Sequence, residues 1–185
     1  MIITNRILAK ATGFTHPQIK RWAVAFLEPD QDYGQHSGIS REYNFEQAVR
    51  IFLGGYLVRD LKFTLIEARQ ILNDVGKWLK EKEWEISRWV NFRKSKSSGG
   101  YVVETDFPCL DLPIDIGVGN DGRFFYNSKI IFELKKIKEP DLWQEKYELG
   151  YFGRRSAISA VPCRSINIKT MVDSLAKLIA QRISG

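Results

Sequence analysis

A change of hydrophobic period near the middle of the chain constrains the fold most. Up to about residue 94 apolar residues recur every three or four positions; beyond residue 100 they alternate or come in short blocks. The first period belongs to amphipathic helices and the second to half-buried strands. The changeover falls on Lys94-Ser95-Lys96-Ser97-Ser98-Gly99-Gly100, which is small, polar and glycine-ended and reads as a linker. The expected class is α+β. A mainly helical part covers 1–75, a linking helix 76–94, and a small α+β domain 101–185 that closes on a long amphipathic helix.

Capping chemistry sharpens the helical part. Ile3, Ile7, Leu8 and Ala11 predict a short helix capped by Thr4 or Asn5 and stopped at Gly13. Thr15 then offers a cap and Pro17 suits the first turn of a second helix, running to about Phe26 with Ile19, Trp22, Ala23 and Phe26 inward. Glu28 to Tyr43 reads as a loop or short β-wing. Asn44 opens a third helix to about Leu61. Thr64-Leu65-Ile66-Glu67 is a capping box that opens a fourth, to about Val75. Lys77–Phe92 reads as a fifth helix. Beyond the linker, strands are expected at 101–103, 114–118, 123–126, 129–137 and 157–161, the second and third joined by the glycine-rich turn 119–122. Ser165–Ile183 is the terminal helix.

Composition narrows the function. The net charge is +6, from 28 Lys and Arg against 22 Asp and Glu. The segment from Met1 to Leu27 holds Arg6, Lys10, Lys20 and Arg21 and no acidic residue, and Gly76 to Gly100 holds seven basic residues against three acidic ones. A cationic surface on the opening helices points to a polyanion. The apolar runs are too short to cross a bilayer. Met1–Arg6 lacks the layout of a signal peptide, so a cytoplasmic protein is expected. Cys109, Cys163, His16 and His36 do not fall at metal-ligand spacing, which predicts no metal, no cofactor and reduced thiols.

Five segments in order resemble the winged helix-turn-helix domain of MerR-type transcription regulators. They are Leu8–Thr15, Gln18–Trp22, Gly38–Tyr43, Val49–Ile51 and Lys62–Ala68. Ala23, Phe26 and one extra residue before Arg41 depart from the family pattern. The resemblance implies a dimeric regulator of double-stranded DNA, not an enzyme, whose recognition helix lies in the major groove with Thr15, His16, Gln18, Lys20 and Arg21 near base edges and phosphates. It implies phosphate contacts by Arg41 and Tyr43 beside the wing. A homodimer would form through a helix after the fourth; Lys77–Phe92 stands in that place, and Ser165–Ile183 is a second candidate. The aromatic-rich C-terminal domain fits a small-molecule effector pocket as well as an ordinary core or interface.

Two other readings stand beside this one. Asp115 followed by Glu133-Leu134-Lys135 resembles the Asp…Glu-x-Lys pattern of restriction-type nucleases, in which carboxylates hold Mg²⁺. A DNA-binding accessory protein of a phage or mobile element would use the same opening helices architecturally.

Overall fold

The computed structural model describes residues 2–29, 41–95, 100–109, 111–118, 123–132, 146–153 and 163–184. Helix and sheet are mixed, as an α+β chain requires. Two compact units emerge: residues 1–105 together with 173–185, and residues 106–172.

The first unit begins with β1 (Ile3–Thr4), α1 (Asn5–Thr12) and α2 (His16–Phe26). The Thr4 side chain caps α1, and Gly13 ends it at φ 71° with its N–H on the Ala9 carbonyl. That left-handed conformation is the reason glycine stands there. Next come β2 (Glu42–Tyr43), α3 (Phe45–Arg59) and α4 (Leu65–Glu81). Strand β1 pairs antiparallel with β2, Ile3 opposite Tyr43. Asn44 and Thr64 each form a full capping box, with Gln47 and with Glu67. Ile3, Leu8, Ile19, Ile51, Leu57 and Ile71 are wholly buried in this unit. Each contributes about 1.5–3 kcal/mol relative to exposure.

The stretch expected to be a separate fifth helix is divided among three elements. Helix α4 runs through Gly76 to Glu81, beyond the expected stop at Val75. It ends in a Schellman turn: Trp84 N–H donates to the Leu79 carbonyl, Glu83 N–H to the Lys80 carbonyl, and Glu83 sits at φ 59°. A single helical turn follows, α5 (Ile86–Trp89), and then β3 (Val90–Lys94) pairs with β4 (Tyr101–Thr105), Lys94 opposite Tyr101. The expected linker therefore closes a hairpin, with Ser95 N–H on the Gly100 carbonyl at 2.7 Å; its residues 96–99 lie outside the described set. Val90 and Phe92 satisfy a strand as well as a helix period, and Phe92 meets Phe45 edge-on at 5.2 Å. In this stretch Trp84 packs edge-to-face on Trp78 at 6.2 Å and on Trp89 at 6.3 Å.

The second unit is a four-stranded antiparallel sheet of β5 (Pro113–Val118), β6 (Phe124–Phe132), β7 (Lys146–Gly153) and β8 (Arg164–Asn167), in the order β7-β6-β5-β8. Strands β5 and β6 pair antiparallel, as the expected hairpin requires, with Val118 opposite Phe124. The expected strands at 123–126 and 129–137 are one strand as far as Phe132, and β7 had no expectation. Residues 133–145 and 157–161 lie outside the described set. Residues 164–167, partly assigned above to the terminal helix, form β8 instead. Helix α6 (Ile168–Ser184) follows, and the Asn167 side chain accepts from Thr170 N–H at 3.0 Å. Ile114, Ile116, Tyr126, Ile130 and Ile168 make the core.

Candidate nucleic-acid interface

Helix α2 is built to start sharply. The Thr15 hydroxyl accepts from Gln18 N–H, and Gln18 Oε1 accepts in return from Thr15 N–H at 2.9 Å and from the Thr15 hydroxyl at 3.0 Å. Its inner face holds Ile19, Trp22, Ala23 and Phe26, all buried. Thr15, His16, Lys20 and Arg21 are exposed on the other. His16 and Lys20 are four residues apart and share a face. Helix α1 repeats that spacing with exposed Arg6 and Lys10.

No carboxylate lies in the first turn of either helix. Among the described residues Arg6, Lys10, Lys20 and Arg21 form no ion pair. The N-terminal end of α2 adds the partial positive charge of its unpaired N–H groups. The result is an uncompensated cationic surface with flexible donors.

Three expected contacts change on inspection of the geometry. Gln18 spends its carbonyl oxygen inside the capping box, so only its NH₂ donors remain; bidentate pairing to adenine needs both ends of the amide. Tyr43 is only 2% exposed, because its place opposite Ile3 turns it into the core, and its hydroxyl donates to Asn5 Oδ1 at 2.8 Å. Arg41 is 6% exposed and donates to the Glu28 carbonyl at 3.2 Å. Neither Arg41 nor Tyr43 is presented to a phosphate backbone. Most of the expected wing, residues 30–40, lies outside the described set. Trp22 is core, meeting Phe14 edge-on at 4.7 Å, and Arg59 lies over the other ring of that pair at 4.6 Å.

The opposite end of α2 carries residues that sequence reasoning missed. Its last turn has no basic side chain of its own. Its terminal carbonyls are met instead by distant arginines: Arg69 of α4 donates to Ala25 at 2.5 Å, and Arg50 of α3 to Phe26 at 2.6 Å. With Arg41 on Glu28, three guanidinium groups converge where the helix dipole is negative. Burial, then the adjacent charge of Arg69, lowers the proton affinity of Arg50, with Glu46 and Glu28 acting the other way. The one available signal was the missing cap at 24–27; nothing local says which arginine supplies it.

The nuclease-like constellation is only partly described. Asp115 on β5 is half-buried and accepts from the Ser165 hydroxyl on the neighbouring β8; Glu133 and Lys135 lie outside the described residues. Among the described residues no three His, Cys, Asp or Glu side chains are placed to hold a metal ion. Cys109 and Cys163 are free thiols, and burial pushes that of Cys109 up to about 11. No described helix is long and apolar enough to cross a membrane. Compared with known protein families, curated proteins and solved structures, the chain matches none.

Proposed function

We propose that this protein is a sequence-specific regulator that binds double-stranded DNA through its opening helices, in the manner of a MerR-type winged helix-turn-helix. One observation carries the reading. Arg6, Lys10, Lys20 and Arg21 are exposed and, among the described residues, unpaired, in a stretch that holds no carboxylate from Met1 to Leu27. A surface of that kind gains free energy by releasing counterions from a phosphate backbone. The glycine turn and the Thr15 capping box support the docking, since they hold the first turn of α2 clear of the core. His16, Lys20 and Arg21 read the groove and grip phosphates, Gln18 contributes donors only, and Arg41 and Tyr43 support the fold. A two-fold copy on a palindromic site would supply the area that one small module lacks.

Selection of bound duplexes from a random library, at stated salt, tests this directly. Symmetric enriched half-sites are expected. Lys20→Ala and Arg21→Ala should each weaken binding and shallow the slope of log K against log salt by about one. A wild-type protein that retains no duplex, or slopes unchanged in both variants, rejects the reading.

A further inference from the structure

The arginines at the end of α2 use only part of their donor capacity there. Arg69 gives its Nε–H to Ala25; Arg50 gives its Nε–H to Phe26 and an Nη2 donor to Asn73 Oδ1. A guanidinium has five N–H donors. Both Nη groups of Arg69 and the Nη1 group of Arg50 therefore have no partner among the described residues, and no ion pair neutralises either side chain.

The two arginines line a cavity of about 820 Å³ together with Asn44, Gln47 and Asn73. The amides share one property: each acceptor oxygen already holds a hydrogen bond. Asn44 Oδ1 accepts from Gln47 N–H at 2.8 Å, Gln47 Oε1 accepts from Asn44 N–H at 3.0 Å, and Asn73 Oδ1 accepts from Arg50. Their NH₂ groups have no partner among the described residues, so the donors outnumber the acceptor sites still open. Three amide donors and two guanidinium forks, drawn from the start of α3, its middle and α4, complement a group that only accepts. Glu28 and Glu46 also line the cavity, and among the described lining residues Arg41, Arg50 and Arg69 outnumber them by one. Guanidinium forks favour phosphate and carboxylate oxygens. A donor set spread over two helices suits the several oxygens of a tetrahedral phosphate better than the two of a planar carboxylate. The volume lies within the range of small-molecule sites, larger than a bare phosphate fills.

We infer that this cavity binds the phosphate group of a small phosphomonoester. The inference does not rest on DNA binding, because its donors lie at the end of α2 remote from His16 and Gln18, and failure of the duplex selection leaves it standing. The test titrates the full chain with inorganic phosphate and with ribose 5-phosphate, ionic strength held constant with chloride, following the amide resonances of α3 and α4. Saturable binding is expected, tighter for the monoester. Arg69→Gln and Asn73→Asp should each weaken it tenfold or more, and Lys20→Ala should leave it unchanged. Asn73→Asp keeps the acceptor for Arg50 and adds a carboxylate beside it, so its unliganded melting temperature should not fall and misfolding cannot explain its loss. Absence of saturation, or an equal loss in Lys20→Ala, overturns the site. Displacement of ribose 5-phosphate by a short duplex overturns the small-molecule assignment and gives the cavity to a backbone phosphate.

Discussion

Gly54 and Gly55 set the separation of two helices. Both lie inside α3, where a glycine costs about 1 kcal/mol against alanine. The compensation is close approach. A Cβ on Gly54 would fall well under 3.0 Å from the Phe26 ring, and one on Gly55 well under 3.0 Å from the Trp22 ring. Phe26 and Trp22 are one turn apart on α2, so the adjacent glycines seat two successive rings. Both rings are buried, at 2% and 4% exposure, and have nowhere to retreat. Overpacking costs about 1–3 kcal/mol and outweighs the gain in helix propensity. Gly54→Ala and Gly55→Ala should each lower unfolding free energy by about 1–2 kcal/mol in urea titration. A stabilised variant would mean that α2 stands further from α3.

Helix α2 separates stability from binding among residues that all face solvent. Thr15 and Gln18 close its first turn, and removing a capping hydroxyl costs about 1 kcal/mol. Lys20 has no partner among the described residues, so its removal should change stability by less than about 0.5 kcal/mol. Denaturant midpoints should therefore fall for Thr15→Ala and hold for Lys20→Ala, with the salt slope of the proposed DNA binding following the opposite order. A Thr15→Ala chain as stable as wild type would show that the capping box contributes nothing. The hairpin of β3 and β4 teaches a different lesson at this scale. Val90, Phe92, Val102 and Val103 sit near a stretch whose preceding tryptophans keep helical spacing, and β-branched residues fit either period over so short a run. The left-handed Glu83 breaks the helix at a residue no propensity marks as a stop.

At the scale of the whole molecule, the two ends of the chain belong to one unit. From Asp173 onward α6 groups with residues 1–105, while the start of that helix groups with the sheet. Leu175, Ala176, Ile179 and Ala180 are buried along that last stretch. Ile179→Ala should destabilise by about 2–5 kcal/mol. It should also speed amide exchange in α3, more than one hundred residues away in sequence. Exchange in α3 that stays at the wild-type rate would place the end of α6 outside that unit.

The caps that open α1 to α4 and the inward face of α2 were readable in the residues themselves, because a cap is a contact between positions two or three apart and a helix face follows from spacing alone. The β5–β6 hairpin was readable from the strand patterns on either side of a glycine-rich segment, and the carboxylate-free charge of the opening helices from composition alone. Other features depend on residues that meet only when the chain is folded. The glycine pair accepts rings from another helix. Tyr43 reaches inward to Asn5 across thirty-eight positions. Arg50 and Arg69 cap a helix to which neither belongs. Such contacts carry no local period, so only packing in three dimensions could decide them.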